Sequence, residues 1–471
     1  MDSLRPKSAP IREKRLQAIS AFYGKAETLL QEHADVQFTQ RVRTFSQDVS
    51  SDIIKALEII STIRNSAIVV HGTAGCAVAR LSQQIFDEND SHWAITNLNE
   101  RDSIMGSDVK LREGIRQVFK LHSPEIVFIV STPVVAINND DIESVVEELK
   151  EELGIAIVPV YADGFRSKIG STGYDLVSHS IVKHVLPLKK ADVSDYVNLL
   201  SISEKPNDLN EIYRLLNELG LRTNLFPRST SLENIKRIRN AAFSISINPD
   251  EADYPGTVLQ ERYEIPFVQP VIPIGIENTS QWLANIALAT GHESQARNLI
   301  SREKAQLTQL LEQRAPEKKK VFISLQPAIA FGIANLLEEL GIEVIGLKLT
   351  YVDKHHVANL EKLKADQPEF AFLVGEGQLF EEENLIRKLN PEIYIGDSGD
   401  FAVAIRSGIP VINLESIPVF GFSGVKNLIT KIRKALSNNS FTKISAQNEA
   451  KTYTGEWLKK SPNWFIKQEV K

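Results

Sequence analysis

From residue 52 onward, short continuous apolar runs alternate with segments whose apolar residues recur at helical spacing. The first group of runs is "SAIVVHG", "HWAITNL", "EIVFIVST" and "IAIVPVYA"; between them lie amphipathic patterns such as "DVKLREGIRQVFKLH" and "DDIESVVEELKEELG". Runs of this kind, separated by helices of about 12 to 15 residues, predict parallel strands covered on both faces. A second group falls roughly between 195 and 315, with "VNLLSIS", "AAFSISIN" and "IPFVQPVIPIGIENTSQWLANIALATG". The third is the clearest: "KKVFISLQPAIAFGIANLLEELGIEVIGLKL" reads as strand, turn, helix, strand, and "EFAFLVGEG" and "PEIYIGDSGDFAVAIRSGIPVINLE" follow it. Glycine closes the helices in "EELGI", "NELGL" and "RSGIP", as a left-handed cap requires. The predicted fold class is therefore α/β, with three tandem Rossmann-like, doubly wound parallel-sheet lobes at 51–190, 191–318 and 319–440. Residues 1–50 form a helical arm in this reading, without a strand signal, and 441–471 a tail.

Composition narrows the function classes. The chain of 471 residues is 42% hydrophobic and 24% charged, as soluble globular proteins are. Its 54 Lys plus Arg against 60 Asp plus Glu give a net charge of -6, which implies no broad basic surface and argues against nucleic acid as a partner. No apolar run approaches the roughly 18 residues that span a bilayer, so no membrane partner is expected. The charged start "MDSLRPKSAPIREKRLQ" lacks a signal core, and a cytoplasmic location is expected. Cys76 is the single cysteine. It excludes an internal disulfide framework, and it excludes an iron–sulfur cluster held by this chain's thiolates alone, which would take about four. Any cluster must be shared with a second subunit or use other ligand types.

In doubly wound sheets ligands bind beyond the carboxyl ends of the strands, so the loops leaving them matter most. In "HGTAGC", Gly72 and Gly75 permit a tight turn, and free N–H groups at the following helix start favour an anion and a thiolate at Cys76. Cys76 as a small packed side chain is the alternative, and His71 reads first as a hydrogen-bonded structural residue. "NLNERDSIMGS" gathers Asn97, Asn99, Glu100, Arg101 and Asp102, as an exposed helix cap, an ion-pair lattice, a partner contact or a direct catalytic group. In "GFRSKIGSTGYD", Arg166 and Lys168 suit phosphate or carboxylate groups, or an ordinary surface loop. "GDSGD" caps a helix through Asp397 and Ser398 more readily than it holds a nucleotide. The neighbours His355 and His356 cannot both face one site, and no phosphate-binding glycine motif is present.

Taken in order, these loops resemble the component 1 proteins of nitrogenase and their relatives: catalytic alpha and beta subunits, cofactor-assembly scaffold subunits, and dark-operative protochlorophyllide and chlorophyllide reductases. "HGTAGC" is similar to the family's His-Gly-x-x-Gly-Cys, and "TNLNERDSIMGS" to its Asn/Asp-Leu-x-Glu-x-Asp segment. "STPVVAINNDDI" resembles Ser-Thr-Cys-Pro-x-x-x-Ile-Gly-Asp-Asp-Ile, and "GFRSKIGSTGYD" the Gly-Phe-Arg-Ser loop. "PIGIENTSQWL" and "GFSG" match later segments, the first mainly of beta-type chains, so the likeness covers roughly 40 to 440. It implies a nitrogenase component 1-like fold and a metal ligand role for Cys76 in an iron–sulfur cluster shared with a second subunit. Gly72, Gly75, Arg166 and Lys168 would then lie against cofactor. The implied partners are a homologous, cysteine-richer subunit, in a heterodimer, heterotetramer or homodimer, and an ATP-dependent iron protein as reductase. Departures are specific. Pro133 stands where the family has cysteine, no cysteine occurs near Ser46 to Ser50, and "ESIPVFGFSG" lacks the histidine that holds the large cofactor in alpha chains. A cluster-free structural or regulatory paralogue is therefore the competing reading. An unrelated enzyme closing two α/β lobes on a nucleotide sugar is a third.

Overall fold

The computed structural model of the chain describes residues 15, 18–34, 51–76, 92–164, 169–188, 192–268, 271–314, 319–366, 370–397, 401–437, 442, 444, 446 and 455–460. Among these residues fourteen strands form three sheets. The chain divides into two units, one from 1–16, 50–204 and 221–269, the other from 17–49, 205–220 and 270–471. Strand β1 (Phe22–Lys25) belongs to the second unit.

In the first unit, β2 (Ser66–His71), β3 (His92–Ile95), β4 (Ile126–Ser131) and β5 (Ala156–Val160) form a parallel sheet of order β3-β2-β4-β5. Strands β2 and β4 are buried throughout, which is why their sequences read as unbroken apolar runs. Their side chains alternate between two cores. Ile68, Val70, Phe128 and Val130 pack with Ile53 and Leu57 of helix Asp52–Ile60 and with Val177 and Ile181 of helix Thr172–His184. Ala67, Val69, Val127 and Ile129 pack with Leu111 and Ile115 of helix Asp108–His122 and with Val145 and Leu149 of helix Ile142–Leu153. Closing the first core, Gly173 lies where an added Cβ would sit 2.1 Å from the Asp52 carbonyl, so only glycine lets these two helices meet.

A second parallel sheet in the same unit has the order β7-β6-β8-β9, from β6 (Tyr196–Ser201), β7 (Arg222–Pro227), β8 (Ser244–Ser246) and β9 (Phe267–Val268). Leu200 and Phe226 join the core that Phe128 and Val177 occupy, so the two sheets share one apolar interior. In both sheets the strand order reverses between the first strand and the third, at β2/β4 and at β6/β8. Those are the switch points at which such sheets leave a crevice.

The second unit contains β10 (Lys320–Leu325), β11 (Glu343–Leu349), β12 (Ala371–Val374), β13 (Ile393–Gly396) and β14 (Val411–Asn413), in the order β1-β12-β11-β10-β13-β14. Five strands are parallel, and β1 pairs antiparallel with β12 at the edge. The arm therefore carries a strand that its sequence does not announce. "FYGK" has no apolar run, and it pairs through backbone groups at an edge that needs covering. The left-handed glycine caps form as the sequence predicts, at Gly154, Gly220, Gly341 and Gly408, with φ between 66° and 79°.

Candidate functional site at the carboxyl edge of the first sheet

The turn leaving β2 lies at the β2/β4 switch point. Register pairs His71 with Ser131, so "HGTAGC" and "STP" emerge side by side. Thr132 Oγ1 donates to the His71 carbonyl at 2.8 Å. An added Cβ on Gly72 would lie 2.2 Å from that same oxygen. Gly72 is thus required by a close approach, not by a left-handed turn, because neither Gly72 nor Gly75 has positive φ. Gly75 faces open space, with no atom within 4 Å of an added Cβ. Cys76 is half-buried; its N–H donates to the Thr73 carbonyl at 3.1 Å and its Sγ lies 3.5 Å from Thr73 Oγ1.

His71 is fully buried behind this turn. Its Nδ1 lies 3.0 Å from Thr96 Oγ1 and its Nε2 3.0 Å from Ser107 Oγ, and Ser107 in turn donates to Asp140 Oδ2. Burial pushes the imidazole down to about 4, against the opposing pull of Asp140. With both ring nitrogens engaged, His71 is a structural pillar and not a metal ligand. Gly72 is fastened as well: its N–H donates to Thr96 Oγ1 at 3.0 Å and its carbonyl accepts from Leu98 N at 2.9 Å.

Exposed apolar side chains stand on the segments that follow the neighbouring strands β3 and β4. Ile104 and Met105 end the short helix Glu100–Met105 at 81% and 76% exposure, and Ile137 on helix Pro133–Asn138 is 73% exposed. Asn138 Nδ2 donates to the Ser103 carbonyl at 3.0 Å and ties the two helices together. Two residues of "NLNERD", Asn99 and Asp102, serve the fold. Asn99 and Asp102 form a capping box, at 3.1 Å and 2.9 Å, and Lys110 pairs with Asp102 at 2.6 Å. The bond from Lys110 holds the Asp102 carboxyl below its usual range.

A second polar group, which sequence reading missed, occupies the carboxyl ends of β6 and β8 in the same unit. Glu204 Oε2 accepts from Ser201 Oγ and from Ile202 N at 2.8 Å, while Glu251 Oε2 accepts from Ser203 N at 3.2 Å and from Ser203 Oγ. The other oxygen of each carboxylate, Oε1, is buried without a hydrogen-bond partner. Burial and then the Glu204 charge push Glu251 up to about 8; burial raises Glu204 too. Nearby, Tyr174 OH donates to Glu58 Oε1 at 3.1 Å, and Lys55 pairs with Glu58 at 2.8 Å. Asp52, at the start of the same helix, is pushed up to about 6 by burial and by Asp163. No sequence signal joins Glu204 to Glu251; the fold brings them together from separate loops.

Of the residues singled out in the sequence, Gly72, Gly75 and Cys76 meet in one turn. Arg166, Lys168, Ser398 and positions 46–50 lie outside the described residues. Pro133 opens helix Pro133–Asn138, contributing no metal-binding atom beside Cys76. His356 accepts from Asp353 N at 3.0 Å and is buried. Among the described residues no group of three His, Cys, Asp or Glu could hold a metal ion. Also among them, no helix is long and apolar enough to cross a membrane.

Comparison with known proteins agrees with this architecture. The family model "Nitrogenase component 1 type Oxidoreductase" matches residues 51–437. The nitrogenase iron-molybdenum cofactor biosynthesis protein NifE of Methanococcus maripaludis is 22% identical over 387 residues, covering 80% of each chain. The nitrogenase vanadium-iron protein beta chain of Trichormus variabilis is 24% identical over 439 residues, covering 84% of this chain and 93% of its own. A solved structure, "Nitrogenase Cp1 at pH 6.5", superposes with a TM-score of 0.76 at 17% identity, over 88% of this chain and 97% of that one. The unrelated two-lobed enzyme is thereby displaced as a reading. The sheet order, the turn carrying Cys76 at the first switch point and the family match over residues 51–437 together make this protein a member of the nitrogenase component 1 type oxidoreductase family.

Proposed function

We propose that this chain is one subunit of a nitrogenase-like two-component oxidoreductase or metallocofactor-assembly scaffold, acting in the cytoplasm beside a homologous, cysteine-richer subunit. The observation that carries the reading is the edge around Cys76. A half-buried thiol, exposed Ala74 and Gly75 and the apolar Ile104, Met105 and Ile137 share the carboxyl end of one sheet. That combination suits a protein partner better than a small solute.

This chain's own donors do not make a cluster site. Cys76 offers one thiolate, the His71 nitrogens are both engaged, and Pro133 offers no ligand atom. A cluster fits only if the partner brings the remaining ligands, with Cys76 as the single contribution from this side. An ATP-dependent iron protein would then supply electrons. Pro133 and the single thiolate favour one competing reading, a cluster-free paralogue that keeps the fold and the pairing surface.

Anaerobic purification of the chain alone and with its co-encoded homologue, followed by iron and sulfide determination and a visible spectrum, separates the two. Iron and sulfide in the complex, absent from the chain alone, support the shared cluster. A stable, colourless complex sinks it and leaves the structural paralogue.

A further inference from the structure

Ser107 breaks a local rule. It occupies the N-cap of helix Asp108–His122, where a serine hydroxyl ordinarily accepts from the first turn, yet it makes no capping bond. Its hydroxyl instead bridges His71 Nε2 and Asp140 Oδ2, across 36 and 33 residues of chain. Gly106, immediately before it, has φ 100°.

The bridge fixes the position of a proton. A carboxylate only accepts, so the single Ser107 hydrogen is committed to Asp140. Nε2 of His71 must then donate to Ser107 Oγ, and in the neutral ring Nδ1 must accept from Thr96. Thr96 Oγ1 in turn accepts from Gly72 N. The donors then run from His71 Nε2–H to Ser107 to Asp140 and from Gly72 N–H to Thr96 to His71 Nδ1, with the Gly72 carbonyl at 3.3 Å as the longer alternative for the Thr96 hydrogen.

We propose that Ser107 and Asp140 are positioning residues that hold His71 in its Nε2–H tautomer and so fix the turn bearing Cys76. The lever arm is short. Residue 71 is held by Thr132 at its carbonyl and by the relay at its ring, residue 72 is held by Thr96 and Leu98, and the Thr73 carbonyl receives the Cys76 N–H. The relay also ends beside the exposed apolar helices, since Ser107 follows Met105 by two residues and Asp140 follows Ile137 by three. The inference rests on Cys76 being the working group of this edge, as proposed above, but it requires no bound cluster.

The test uses the full, unliganded chain, so an absent cluster and a failed relay read out separately. Selective 15N-histidine labelling reports which ring nitrogen of His71 is protonated. Because Cys76 is the single cysteine, iodoacetamide alkylation reads the turn at one site. The wild type should show Nε2–H. In Asp140→Ala the Ser107 hydrogen is free to turn to Nε2, the ring proton moves to Nδ1, and alkylation speeds up about tenfold, the effect expected for a lost hydrogen bond to a charged group. Asp140→Asn keeps an acceptor and should stay within about twofold of wild type. A wild-type proton on Nδ1 overturns the proposal, and that spectrum needs no variant to fold. Unchanged alkylation in Asp140→Ala overturns it equally.

Discussion

Replacing Glu251 by glutamine should stabilise this protein at alkaline pH and change little in mild acid. Glu251 is 1% exposed, and it shares the β6/β8 switch point with Glu204, also buried. Each leaves one oxygen without a donor. Burial, reinforced by the neighbouring charge, raises Glu251 from the ordinary 4.5 to about 8. An acid raised in the folded state binds its proton more tightly there than in the unfolded chain. Its contribution is therefore intact below pH 4.5 and is lost as pH rises through about 8. Each tenfold difference in proton affinity between the two states is worth ~1.4 kcal/mol, so the full loss is about 5 kcal/mol, of which roughly half falls between pH 5.5 and 7.5. Glutamine stays neutral and keeps an oxygen that can accept from Ser203 N and Oγ as Glu251 does. Scanning calorimetry of both proteins at pH 5.5 and 8.5 is the assay. The Glu251→Gln transition should lie within a degree or two of wild type at pH 5.5 and several degrees above it at pH 8.5. Equal offsets at the two pH values would refute the reasoning, because the carboxylate would then carry no buried charge worth removing.

Other consequences follow from single contacts. Gly72→Ala forces a Cβ into Thr132 and should cost about 3 kcal/mol; Thr132→Ala in the same chain should recover about 1 kcal/mol or more, measured as non-additivity in denaturant unfolding. Asp208 Oδ1 accepts from Val419 N at 2.7 Å and Phe420 N at 3.0 Å, so Asp208→Ala strands two buried donors. It should destabilise the second unit by about 2 to 4 kcal/mol, with faster amide exchange at 419 and 420. Histidine NMR titration should place the His71 midpoint near 4, and a midpoint at the ordinary 6.5 would show that the ring is not buried as described.

The parts of this fold that could be read in the chain share a physical cause. β2 and β4 are covered on both faces, so burial imposes unbroken apolar runs that composition alone reveals. Glycine at 154, 220, 341 and 408 marks helix ends because few other residues tolerate that backbone conformation. Strand β1 was hidden because an edge strand is held by its neighbour's backbone, which leaves no pattern in "FYGK". The site was half visible. "HGTAGC" located the turn, but Gly72 is needed for its distance from Thr132, a residue two strands away in sequence, and not for turn geometry. Ser107 sits at a helix N-cap without making a capping bond, and its commitment to His71 and Asp140 is a tertiary fact. The Glu204–Glu251 pair belongs to the same class, since nothing local marks two glutamates that meet only when β6 and β8 lie side by side.

Native mass spectrometry of the anaerobically purified complex with the homologous subunit tests the central claim most directly. The wild-type complex should carry the mass of an iron–sulfur cluster that is missing from this chain alone, and the Cys76→Ala complex should assemble without it. A complex that holds no such mass, or one that keeps it unchanged in Cys76→Ala, contradicts the account.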